Sequence, residues 1–335
     1  MSHFLITGHT GFKGSWLTLL LRARGHQVSG IALDPRERSL FNEGHVSQEF
    51  LHDLRVDIRD RPALVEALED VSPDFVIHLA AQALVGEGFS KPLETYETNV
   101  LGTLNVLHAV DNTDSVVAQL VVTTDKVYRS KGTRSPYTEH DALGGGDPYS
   151  ASKAMADILA QQWLAKADSK PGAIARAGNV IGAGDHSANR LVPDLHRAVR
   201  AGTPLDIRFP EAVRPWQHVL DCLNAYLIIL QNVHENGVGG AWNVGPTVGQ
   251  FFSVETVVAR ATSILGINAP AARMVRNPFE EDAYLALDSS KIAVDLGWSD
   301  RLGLHASLEW SLAELVDSSH LSALVRNQVR LFEQI

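Results

Sequence analysis

The feature that most constrains this chain is an alternation. Through the first 180 residues, short apolar runs take turns with amphipathic stretches of helical period. His3–Thr7 is apolar and stops at a glycine, and a periodic segment over 12–24 puts Trp16, Leu17, Leu20 and Leu21 on one side. Strand-like Gln27–Leu33 follows, and 35–56 reads as polar loop with weak structure. Helical 61–70 leads into a buried-strand pattern at 74–79, helical 94–110 into 118–123, and helical 147–167 into a short strand at 173–176. Asp147 caps the last of these helices and Pro148 suits its first turn. Such alternation predicts a doubly wound α/β architecture, a parallel sheet covered on both faces.

The alternation weakens after residue 180. Helices are expected near 190–200, 217–232, 253–265 and 305–330, with short strands near 205–207, 241–244 and 284–287. The expected organisation is a dinucleotide-binding domain over 1–180, with helices returning to it, and a smaller mixed α/β substrate lobe over 181–335.

Composition excludes several classes. With 29 Lys+Arg against 39 Asp+Glu and no basic run, the chain lacks the concentrated cationic face that nucleic acid requires. No apolar run approaches the roughly 18–20 residues of a membrane span, and the N-terminal sequence does not read as a signal peptide. The single cysteine, Cys222, fits a reducing cytoplasm. The 14 histidines are scattered without ligand spacing, so no metal is expected.

Gly8, Gly11 and Gly14 punctuate the turn between the first strand and helix. Glycines there permit a tight turn and close approach of a pyrophosphate to a helix N-terminus. Asp34 ends the next strand, where a carboxylate accepts hydrogen bonds from an adenine-side ribose. Arg36 and Arg38, just beyond it, are placed to meet a 2′-phosphate, so NADP stays open beside NAD. Asp57 and Ile58 are candidates to border the adenine.

Tyr149 and Lys153 lie four apart on the capped helix, hence on one face. An ammonium beside a phenol favours phenolate, which can take an alcohol proton while hydride leaves the same carbon. Upstream, Thr123 and Thr124 end a strand, and Asp125 and Lys126 follow as a potential acid and base where parallel-sheet ligands gather. Asn99, mid-helix, is a candidate for ordering water or backbone near the tyrosine.

These segments together resemble the extended short-chain dehydrogenase/reductase family of sugar-nucleotide enzymes, in particular its branch of CDP-glucose 4,6-dehydratases. The resemblance rests on GHTGFKGSWL, HLAAQALV, PLETYETNVLGTLNVL, TTDKVY, GGGDPYSASKA, RAGNVIGAGD, RLVPD, RPWQHVL, AWNVGP and LGW, spread from residue 8 to 298. It implies a Rossmann-type fold binding NAD, with Thr10, Phe12, Ala80, Asn99 and Thr123 joining the glycines as cofactor contacts. By the same resemblance Tyr149 deprotonates the sugar 4-hydroxyl, Lys153 lowers the tyrosine pKa and holds the nicotinamide ribose, and Thr124 orients the 4-oxygen. Asp125 protonates the departing 6-hydroxyl, and Lys126 stands where the Thr-Asp-Glu branch carries its base for the C5 proton. Asn179, Arg190, Leu191, Arg214, Trp216 and His218 match nucleotide-sugar positions, and the family implies a homodimer through helices near 94–110 and 148–166.

Several positions depart from the pattern. Gly86 replaces an arginine, Thr138 an arginine, His186 a tryptophan, and Ala283 and Ala286 a histidine and a lysine. The reacting centre is kept while cations around the substrate are lost. Two alternatives stand beside dehydration: a 4-epimerase or reductase of the same family, against which Asp125-Lys126 argues, and a non-catalytic cofactor-binding regulator.

Overall fold

The computed structural model describes residues 1–268, 272–275, 282–316 and 320–335. Its first six strands are His3–Thr7 (β1), Gln27–Ala32 (β2), His52–Arg55 (β3), Phe75–His78 (β4), Ala118–Thr124 (β5) and Gly172–Ala177 (β6). Short strands Val180–Ile181 (β7), Leu205–Ile207 (β8), Val213–Arg214 (β9) and Gln217–His218 (β10) follow. Gly240–Val244 (β11) then precedes Phe252–Ser253 (β12) and Ala272–Met274 (β13). The large sheet has the order β11-β6-β5-β4-β1-β2-β3 and is parallel throughout. The chain runs outward from β1 to β3, then returns to place β4 on the other side of β1. That reversal opens a crevice at the carboxyl ends of β1 and β4.

The helices are Phe12–Ala23 (α1), Leu40–Glu43 (α2), Arg61–Val71 (α3), Val85–Ser90 (α4), Pro92–Tyr96 (α5), Gly102–Asp111 (α6) and Pro148–Leu164 (α7). Leu191–Ala201 (α8), Val219–Asn236 (α9), Val254–Ile264 (α10), Ser290–Leu296 (α11), Leu304–Val316 (α12) and Leu321–Phe332 (α13) complete the set. On one face of the sheet, α1, α9 and α13 bury Trp16, Leu17, Leu20, Tyr226 and Phe332 in a single core. On the other, α3 and α6 close over Leu5, Ile31 and Val76, and α7 over Val121 and Ile174. Each such aliphatic side chain stabilises the fold by about 1.5–3 kcal/mol when fully buried. A second core, Leu195, Trp216, Val257, Ala261 and Leu308, joins α8, α10 and α12 into the smaller lobe.

Five expectations change. The polar stretch 35–56 contains α2 and β3, an edge strand whose HDLR sequence is mostly exposed and shows no apolar period. The strand near 241–244 belongs to the large sheet, pairing in parallel with β6, rather than to the smaller lobe. The helix expected over 94–110 is interrupted by a π-turn at Glu97–Leu101, and that near 305–330 is two helices, α12 and α13. At 284–287 only isolated bridges form, Tyr284 to Val213 and Leu287 to Tyr137.

Candidate active site

The glycine loop is built without room to spare. Gly8 has φ +78, and a Cβ there would lie 2.7 Å from the Ala80 nitrogen; one at Gly14 would lie 2.4 Å from the Gly8 carbonyl. The backbone therefore turns close under the end of β4. Gly11 starts α1 without a side-chain cap, so the first-turn amides are left for a ligand. Thr10 Oγ1 donates to the Leu33 carbonyl at 3.1 Å, tying the loop to the end of β2. Phe12 packs on the core and meets Gly182.

Asp34 stands on this rim, its side chain 90% exposed, and accepts from Arg55 Nε at 3.1 Å. Arg36 is engaged by Glu87 at 3.2 Å and Arg38 by Glu43 at 3.5 Å, so neither converges on Asp34. Asp57 is occupied by Arg59, whose guanidinium holds its carboxyl below the ordinary range. The Ile58 side chain is buried under Gly102, where a Cβ would come within 2.5 Å of it. It is a packing residue, because the first turn of α6 lies directly on it.

The second group lies where β5 ends. Asp147 Oδ1 accepts from Ser150 N at 3.0 Å, fixing the start of α7 and so the placement of Tyr149 and Lys153. Burial pushes the Tyr149 phenol up to about 12, opposed by a hydrogen bond with Thr124. Lys153 is driven down to about 8 by burial, with Asp157 opposing, and its Nζ donates to the Val122 carbonyl at 2.9 Å. The lowering expected from the spacing is not seen: desolvation dominates at the phenol, and the Lys153 ammonium is bonded to β5.

Thr124 Oγ1 donates to Asp125 Oδ1 at 2.9 Å. Asp125 is 2% exposed, and burial raises its pKa against the opposing charge of Lys126. Its Oδ2 is buried with no partner among the described residues. A carboxyl whose burial favours its protonated form, with one oxygen unengaged, is suited to giving up a proton. Thr123 turns away from the crevice, donating to Asp157 Oδ2 at 2.8 Å.

Asn99 sits in the π-turn, a local widening common at functional sites. It accepts from Gln82 N at 2.8 Å and donates to the Gln82 carbonyl at 3.0 Å and Ser152 Oγ at 2.8 Å. It thereby joins the loop after β4 to α7, one residue from Lys153, and holds backbone in place beside it.

The expected substrate residues divide. Arg190 precedes α8, is partly exposed, and acts electrostatically on Tyr149; Leu191 opens that helix. Asn179 lies between β6 and β7, its carbonyl accepting from Gln217 N at 3.2 Å. Arg214 is buried and donates to the Val213 and Asp282 carbonyls, both at 2.8 Å. Trp216 and His218 do not line the crevice. Trp216 is in the smaller lobe's core, donating to the Phe252 carbonyl at 2.9 Å. His218 is fully buried between Trp16 and Trp310, with Nδ1 accepting from Leu220 N to cap α9. The helix start needs an acceptor there, and the surrounding indoles exclude water.

Of the departing positions, Gly86 faces open space on α4, while His186 bonds Glu43 at 3.1 Å and Thr138 bonds Asp141. Ala283 is exposed and Ala286 buried.

Some residues behind the site escaped sequence reasoning. Asp157 takes the Arg176 guanidinium on both oxygens, and Arg176 donates onward to Tyr128, which donates to Asn243. An arginine inside the apolar run of β6 was the available signal. Lys13, in the glycine loop, reaches the buried Tyr226 hydroxyl at 2.9 Å; nothing local marked it.

Known proteins supply the last evidence. The model of the NAD dependent epimerase/dehydratase family matches residues 4–245. The chain is 37% identical over 314 residues to CDP-glucose 4,6-dehydratase of Salmonella typhimurium, covering 90% of this chain and 87% of that protein. It is 30% identical over 332 residues to a probable dTDP-glucose 4,6-dehydratase of Sinorhizobium fredii, covering 92% of each. Among solved structures, dTDP-glucose 4,6-dehydratase from Bacillus anthracis in complex with NAD superposes with a TM-score of 0.80 at 22% identity, covering 97% of this chain and 100% of that one.

Proposed function

This chain belongs to the NAD dependent epimerase/dehydratase family, and from that premise we propose that it is a nucleotide-sugar 4,6-dehydratase that takes CDP-glucose. The observation that carries the reading is that Asp125, bonded to Thr124 at the end of β5, keeps a buried oxygen without a partner among the described residues. Tyr149 and Lys153 stand beside it on α7, so a group that can oxidise an alcohol adjoins a group that can expel one.

The glycine loop fits NAD: its Cβ-free cradle and uncapped α1 N-terminus suit a pyrophosphate, Asp34 suits a ribose diol, and Lys153 faces the other end. Bound NAD supplies a hydride acceptor at C4 and a hydride donor at C6. In its phenolate form Tyr149 takes the 4-hydroxyl proton as C4 is oxidised, and Thr124 orients that oxygen. The resulting ketone acidifies C5–H. Lys126 aids removal of the C5 proton while Asp125 Oδ2 protonates the 6-hydroxyl, so water leaves across C5–C6. Return of the hydride to C6 and of a proton to C5 would give the 4-keto-6-deoxy sugar, with no net redox change.

The same reading divides the chain into a Rossmann half over 1–180 and a sugar-nucleotide lobe over 181–335, with β11 and α9 returned to the large sheet. Arg190 and Arg214 are assigned to the substrate side and Asn179 to its wall. A homodimer through α5–α6 and α7 is supported by the exposed apolar side chains Leu93, Leu101, Met155 and Ile158 on those segments. A cytoplasmic site of action rests on the lone buried Cys222 and on the absence, among the described residues, of a helix long and apolar enough to cross a membrane.

Incubating purified protein with CDP-glucose, dTDP-glucose and UDP-glucose tests the proposal. CDP-glucose is expected to develop the alkali-induced absorbance of a 4-keto sugar. D125N should lose that signal while still binding NAD. No signal from any of the three, or a C4-epimerised product, would overturn the dehydratase reading.

A further inference from the structure

His78 lies beneath the crevice and has no part in the reaction proposed above. It is the last residue of β4 and stands in register beside Thr7, the last residue of β1. Both are buried, as are Thr103, Asn99 and Ser152. Thr7 Oγ1 lies 2.7 Å from His78 Nδ1, and Thr103 Oγ1 lies 2.9 Å from Nε2. The neighbours decide which nitrogen carries the proton. Thr103 donates its own hydrogen to the Asn99 carbonyl at 2.7 Å, so toward the imidazole it can only accept, and His78 Nε2 donates to it. Burial keeps the ring neutral, which leaves Nδ1 bare to accept from the Thr7 hydroxyl. Thr7 Oγ1 in turn accepts at 3.3 Å from Ala80 N, the amide against which Gly8 is packed. At the far end, Asn99 donates to Ser152 Oγ, and Ser152 Oγ donates to the Tyr149 carbonyl at 2.7 Å.

We propose that His78, in its Nε2–H form, is a positioning residue that couples the bed of the glycine loop to the helix carrying Tyr149 and Lys153. This rests on the assignment of the glycine loop to NAD and of Tyr149 to the oxidation. The hydrogen bonds run in one sense from the Ala80 amide through Thr7, the imidazole and Thr103 to Asn99. The other tautomer would set the Nε2 lone pair against that of Thr103 Oγ1, in a place with no water to separate them. The backbone ladder does not supply this link, because the glycine loop follows β1 while α7 packs over β5 and β6. A side-chain chain across the end of β4 joins them, and its one two-sided member is the imidazole.

Long-range 1H–15N NMR of the full-length wild-type protein, labelled at histidine, reads the tautomer without any substitution. His78, assigned through its own side-chain carbons, should show a protonated Nε2 and a bare Nδ1, unchanged from about pH 8 to about pH 5. The coupling is read from T7V and T103V, which keep the side-chain shapes and flank the imidazole on opposite nitrogens. Their effects on NAD affinity, measured by calorimetry, should depart from simple multiplication by about threefold or more in T7V/T103V. T103V should also lower kcat by about tenfold with KM for the nucleotide sugar within about threefold, because it loosens placement and not binding. An Nδ1–H ring, a ring that protonates above pH 5, effects of the two threonines that simply multiply, or an unchanged kcat in T103V would each overturn the inference and leave the cofactor assignment standing. Wild type that does not bind NAD would overturn that assignment, and the inference with it.

Discussion

Arg176 and Asp157 form a buried ion pair one helical turn beyond Lys153, Nη2 to Oδ1 at 2.7 Å and Nε to Oδ2 at 2.9 Å. The pair fastens β6 to α7, and Asp157 also accepts from Thr123 and supports the Lys153 ammonium. The helix that carries Tyr149 and Lys153 is thus tied to β5 through Thr123 and to β6 by two charges that water does not reach.

Removing one partner of such a pair strands the other. D157N is expected to lose about 3–5 kcal/mol of unfolding free energy in denaturant titrations, and D157L/R176M to recover part of it. Equal stability of D157N and wild type would show that Arg176 finds other compensation.

Tyr149 is expected to be essential to chemistry and dispensable for the fold. Y149F should lower kcat by about 10²–10⁴ with NAD affinity within about threefold of wild type, measured by steady-state assay and by binding. T124V, which keeps shape but removes the hydroxyl shared with Asp125, should slow oxidation and elimination together.

His78 and His218 are buried neutral, each pushed by burial from 6.5 to about 3. A depressed histidine contributes stability that is full above its unfolded pKa and is lost as pH falls through the folded one. Their contribution to the unfolding free energy should therefore be flat above about pH 6.5 and decline below it toward pH 3. H218N, which keeps an acceptor for the Leu220 amide, should flatten part of that decline.

Gly8 and Gly25 share a positive φ, +78 and +80, but only Gly8 has no space for a Cβ. G25A should cost about 1 kcal/mol and leave NAD binding unchanged. G8A should weaken NAD binding by at least about tenfold, because the loop must move away from Ala80. Matched NAD affinities for the two variants would contradict the cradle.

The features readable along the chain were those whose cause lies within a few residues. The start of α7 was legible because Asp147 and Pro148 are adjacent to it, and the glycine loop because a tight strand-to-helix turn selects glycine locally. Tyr149 and Lys153 were placed on one helix face by spacing alone. β3 was not legible, since an edge strand carries little buried apolar surface. The membership of β11 in the large sheet was equally hidden, because its apolar pattern suits either lobe.

By itself, then, the order of residues determined periods, caps and turns, and with them the succession of strands and helices and the position of the reacting groups at the end of β5. Tertiary structure decided the partners. His218 became a buried cap instead of a cleft residue, Ile58 became packing, and Arg55 rather than Arg36 or Arg38 came to lie against Asp34. The reason is that a parallel sheet brings together strand ends that are tens of residues apart in the chain. Which charge meets which, and whether water can reach it, follows from strand order and depth, and no local pattern carries either.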